Sequence, residues 1–133
     1  MLFYLIQYLL KNWHRQRIIN SLYKELFKIE VEQYFFKYKT SYYVSDVFKI
    51  QSEKILTSFN SYELECYYYI VRPKLLRKFF EKLIGEVPES LSKKYFYNES
   101  RNSWRCHDLD EIIRVYTEYN RNATTINKIL RSM

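Results

Sequence analysis

The chain has 133 residues, enough for one domain of ordinary size and too few for two comfortable ones. It carries 15 Tyr and 9 Phe against one Ala (Ala123), one Gly (Gly85) and 2 Pro, so no Rossmann fingerprint or P-loop can be present and an all-β sandwich lacks its turn-formers. Net charge is +7, from 22 Lys and Arg against 15 Asp and Glu, which favours an acidic partner: RNA, anionic lipid or an acidic protein. At 47% hydrophobic and 28% charged, the chain is neither disordered nor a multi-span membrane protein. Two cysteines, Cys66 and Cys106, form no CxxC and no disulfide framework, the pattern of reduced thiols in an intracellular protein.

The first ten residues, MLFYLIQYLL, are apolar, but about 15 Å of helix cannot span a bilayer. No acidic residue precedes Glu25, whereas Lys11, Arg15, Arg17 and Lys24 do. An apolar, basic, acid-free start is the composition of a matrix-targeting segment; the simpler reading is the first amphipathic helix of the fold. Ile19, Leu22, Leu26 and Ile29 recur at helical spacing, Leu2, Ile6, Leu9 and Trp13 extend the stripe backwards, and a long first helix is predicted over 2–36. A second is predicted over 41–59, with Val44, Val47, Phe48, Ile55 and Leu56 on or near its buried side. Asn60 stands three residues before Glu63, the capping-box spacing, so a third helix opens there. Within it Pro73 demands either a kink or a stop and a restart with Pro73 in the first turn. Gly85, followed by Pro88, predicts a left-handed helix end. Residues 86–107 break the period and predict an ordered but irregular connection. Asp108 with Glu111 repeats the capping spacing, and Leu109, Ile112, Ile113, Tyr116, Ala123, Ile126, Ile129 and Leu130 predict C-terminal helix over 108–133. The expectation is a single all-α domain, 1–133, of four or five helices.

Catalytic machinery is hard to assemble from these residues, and no enzyme is expected. His14 and His107 lie at opposite ends of the chain, and Cys106 and His107, being adjacent, point apart and make a poor metal pair. Glu63 and Glu65 fall on different helix faces. Of Tyr67, Tyr68 and Tyr69, at least one belongs in the core. The segment Ser21–Lys28 is more telling: Leu22 and Leu26 take the buried stripe, Tyr23 stands at its margin, and Arg17, Lys24 and Lys28 share one face. A basic stripe beside a tyrosine suits an acidic helix.

Leu22-Tyr23-Lys24 resembles the signature of the LYR-motif family of small mitochondrial three-helix proteins, which is Leu-Tyr-Arg with Lys in some members. Phe48-Lys49 is similar to the family's phenylalanine late in the second helix, and Leu64 through Lys78 is similar to its third, basic helix. The resemblance covers residues 18–80; Lys24 in place of Arg, Pro73, and the whole of 86–133 depart from the pattern. It implies a three-helix bundle with a long first helix, to which the apolar period of the C-terminal segment adds one or two further helices. It also implies a mitochondrial accessory or assembly subunit that is no enzyme and docks an acidic acyl carrier protein through Arg17, Tyr23, Lys24, Lys28 and Phe48. The cofactor would be the carrier's acyl-phosphopantetheine, none being the chain's own, and a larger protein complex would be the second partner. The competing expectation is a basic RNA-associated protein using Arg72, Lys74, Arg77, Lys78 and Lys82, a run that only Glu81 opposes.

Overall fold

The computed structural model describes residues 2–40, 45–104 and 108–133, and nearly all of them are helical. Helix α1 runs Leu2–Lys39, α2 Ser45–Leu56, α3 Ser61–Cys66 and α4 Arg72–Gly85, with a π-helical turn Tyr67–Val71 joining α3 to α4. After these come α5 Glu89–Phe96, a hairpin of β1 Tyr97–Asn98 and β2 Ser103–Trp104, α6 Leu109–Tyr119 and α7 Ala123–Ser132. The all-α expectation holds. Ser41 and Val44, assigned to the second helix, and Cys106 and His107 lie outside the described residues.

Local chemistry accounts for most boundaries. Asn60 caps α3: its side chain accepts from the Glu63 N–H at 2.8 Å, and its own N–H donates to Glu63 Oε1 at 2.9 Å, closing the predicted capping box. At Pro73 the helical run does not stop, but the proline does take the expected place in a first turn. The chain widens into the π turn just ahead of it, where the Arg72 N–H donates to the Tyr67 carbonyl five residues back. The extra residue shifts the ladder so that the proline, which has no N–H to donate, sits in the first turn of α4.

Four expectations are corrected. Gly85 ends α4 without a left-handed residue: Glu86 and Val87 donate to Leu83 and Ile84, a tightened last turn that needs no positive φ. The described part of the 86–107 segment, residues 86–104, is not irregular, because Glu89–Phe96 is helical, with Phe96 edge-on against Phe80 at 5.4 Å. The hairpin follows, its tight turn placing Asn102 at φ 49°, a conformation asparagine tolerates. The C-terminal segment is two helices, interrupted where Asn120 closes α6 and the Asn122 side chain caps α7 through the Thr124 N–H at 3.0 Å. Asp108 caps α6 through the Asp110 N–H at 3.4 Å, with no returning bond from Glu111 recorded among the described residues.

Two apolar clusters hold the molecule. The smaller joins Ile19, Tyr23 and Leu26 of α1 to Tyr67, with Ile55 and Leu56 of α2 and Phe59 against it, so α1, α2 and the π turn meet there. The larger packs Phe27, Val31 and Phe35 of α1 against Leu75, Phe79, Phe80 and Leu83 of α4, Ile112, Ile113 and Tyr116 of α6, and Ile126 and Ile129 of α7. Helix α2 buries no residue fully, and Val47, expected inside, is 51% exposed.

Candidate functional site

Lys24 and Lys28 lie one turn apart on α1, where the period that sends Phe27 inward turns them outward. They face a cavity of about 220 Å³ whose floor is Phe27, Leu75, Leu130 and Met133, and whose rim adds Arg131 from the far end of the chain and Glu25. Three cations thus surround an apolar floor with one carboxylate among them. Burial pushes the nearby Glu32 carboxyl up, while Lys28 pulls it down and Glu25 adds to the rise. Ser21 lines both this cavity and a shallow one holding Arg17 and His14, so Arg17, Lys24 and Lys28 form one continuous face. The Arg17 guanidinium lies 4.9 Å over the exposed Trp13 ring.

Tyr23 is not at the margin of this face. Only 4% of it is exposed; its ring stacks on Tyr67 at 5.6 Å and leans on Phe59 at 5.1 Å. Its hydroxyl donates to the Glu63 carbonyl at 2.7 Å, and burial, then the nearby Cys66, Glu63 and Tyr62, raises its pKa. Its aromatic partners, Phe59 just ahead of α3 and Tyr67 of the π turn, draw the ring inward, and it serves as a tie between helices. Glu63 takes the opposite side of that tie. Its carboxylate accepts from Arg15 Nη2 at 2.7 Å and Nε at 3.2 Å, a bidentate pair pinning α1 to the α3 cap.

Phe48 is partly buried against Phe36 at 5.8 Å and lines a different cavity, with Lys39 and Ile126. Phe36 is two turns beyond Lys28 on α1, about 12 Å of rise, so Phe48 and the lysines are not brought together. The alternative cluster is also divided. Arg72 grips Glu30 of α1, its Nε donating at 3.0 Å and its Nη2 completing a fork. The hydrogen bond to Glu30 raises the pKa of the Arg72 guanidinium, and both partners are largely covered. Lys74, Arg77, Lys78 and Lys82 remain exposed on one face of α4, Lys82 donating to Ser132 at 2.9 Å.

No metal-binding group of three His, Cys, Asp or Glu exists among the described residues. Sequence reasoning missed Arg131, Leu130 and Met133, which complete the cavity; nothing local marks them, since only the return of α7 along α4 places them beside α1. Comparison with known proteins finds no matching family model, no similar curated protein and no matching solved structure.

Proposed function

We propose that the chain is a non-enzymatic helical adaptor that docks an acidic acyl carrier protein on the face of Arg17, Lys24 and Lys28 and links it to a larger mitochondrial complex. The observation that supports this reading is the cavity where Lys24, Lys28 and Arg131 surround Phe27, Leu75, Leu130 and Met133. A carrier offers carboxylates on a helix and an acyl chain on a phosphopantetheine arm. Cations answer the carboxylates and the phosphate, and the floor takes an apolar chain. Tyr23 contributes by holding α1 against α3, which keeps Lys24 on the outer side.

Exposed ion pairs are each worth about 0–1 kcal/mol, so Lys24→Gln should weaken retention of the carrier modestly. Lys24→Glu should abolish it by replacing attraction with repulsion, and neither change should lower the melting temperature, since Lys, Gln and Glu share similar helix propensity. The measurement is co-purification from a mitochondrial extract with nuclease present, followed by intact mass for a pantetheinylated partner. Retention by Lys24→Glu at the wild-type level, or no carrier with the wild type, would overturn the reading. RNA association through Lys74, Arg77, Lys78 and Lys82 is the second reading, supported by their common exposed face. Its mark is a nuclease-sensitive, salt-sensitive partner. Arg72, committed to Glu30, takes no part in it.

A further inference from the structure

The apolar stripe of α1 does not stop where the core stops. Every residue from Leu2 to Ile18 is exposed, and the first buried one is Ile19. Leu2, Phe3, Tyr4, Leu5 and Ile6 are consecutive, so they point to all sides of the helix, and each is between 47 and 74% exposed. Tyr8, Leu9, Leu10 and Trp13 continue the surface. An isolated helix of this kind is unstable in water unless something covers it.

We infer that residues 2–18 of α1 form a membrane-surface anchor that embeds in the headgroup–acyl boundary of an anionic bilayer. Leu2, Leu5, Ile6, Leu9 and Trp13 recur at helical spacing and make the deeper side. Tyr4, Tyr8 and Lys11 lie across from them, and their polar tips suit the headgroup level. A protein groove covers one side of a helix, whereas the interface encloses it, which matches exposure on all sides. Charge selects the lipid: Lys11 projects at the headgroup level from a segment with no carboxylate before Glu25. The same segment of a second copy offers only cations and no counter-charge. Arg15, tied to Glu63, fixes where the anchor leaves the folded body. No helix among the described residues is long and apolar enough to cross a membrane, in keeping with an anchor that lies in one face.

The test is independent of the carrier reading, since Leu5, Leu9 and Lys11 lie away from the Lys24–Arg131 cavity. The full chain should float with vesicles of equimolar phosphatidylcholine and phosphatidylglycerol, and less with phosphatidylcholine alone. In a Trp104→Phe background Trp13 is the only tryptophan, and its emission should shift to the blue and become shielded from aqueous quencher on the anionic vesicles. Lys11→Gln should lower partitioning onto them about fivefold, the worth of one cation near such a surface. Leu5→Glu/Leu9→Glu should lower it at least about tenfold without altering the melting temperature, because neither leucine touches the core. Failure of the wild type to bind anionic vesicles, or binding that Leu5→Glu/Leu9→Glu leaves unmoved, would overturn the inference. So would a dimer that persists in the presence of vesicles and that Leu5→Glu/Leu9→Glu dissolves.

Discussion

Glu63 shows how much one side chain can organise. Its carboxylate closes the Asn60 capping box and receives the Arg15 fork, while its carbonyl receives the Tyr23 hydroxyl. Burial works to raise its pKa, but the Asn60 N–H and the Arg15 guanidinium outweigh it, and the folded value lies below the ordinary 4.5. A carboxyl depressed on folding stabilises the protein above its unfolded pKa, and that contribution fades as pH falls through the folded value. Glu63→Gln should therefore melt lower than wild type at neutral pH. The gap between the two should close as pH falls from about 5 to about 3, read as melting temperature against pH. A gap independent of pH would mean that the carboxylate charge does nothing there. Tyr67 presents the opposite case: its ring is buried and its hydroxyl has no hydrogen-bond partner among the described residues, so burial raises its pKa.

At the scale of elements, helix ends depend on different devices. Asn60 and Asn122 cap with side chains, whereas α4 closes by tightening its last turn at Gly85. Glycine is not required there: its φ is not positive, and an added Cβ would meet nothing within 4 Å. Gly85→Ala should stabilise by about 0.5–1 kcal/mol, through the lower entropy of the unfolded chain and the better helix propensity of alanine. Thermal and urea unfolding would register it as a higher midpoint with an unchanged slope. A loss of stability would mean the turn needs glycine after all. The π turn before Pro73 solves a different problem, shifting the ladder so that a proline sits within continuous helix.

Over the whole molecule, stability is concentrated between the two ends of the chain. Helix α6 is buried along one side against α1, reinforced by the Tyr38 hydroxyl and Lys37, both of which reach Asp110. Helix α2 stays at the periphery. Ile112→Ala, at a fully buried position, should cost about 2–5 kcal/mol by leaving a cavity, while Val47→Ala should change stability by less than about 0.5 kcal/mol. Chemical unfolding of the two variants side by side would show the contrast. Equal losses would place α2 in the core after all. The same return of the C-terminal helices brings Arg131 to Lys24 and Lys28, so the cavity and the core share one cause.

What the amino-acid order determined alone is what local forces decide. Period 3.6 along Ile19, Leu22, Leu26 and Ile29 specifies α1, the Asn60–Glu63 spacing specifies the start of α3, and scarce turn-formers specify an all-α chain. The outward face of Lys24 and Lys28 was legible for the same reason. Tertiary structure alone decided which residues are covered: Tyr23, at the margin of its stripe, goes in, and Val47, read toward the buried side, stays out. It also made Glu89–Phe96 a helix by giving Phe96 the ring of Phe80, tied up Arg72 with Glu30, and brought Arg131 to the cavity. Hydrogen bonds within a helix join residues four or five apart and leave their mark in the sequence. Core volume and ion pairs between Glu30 and Arg72 join residues far apart, and only packing selects them among the many lysines, tyrosines and phenylalanines this chain offers.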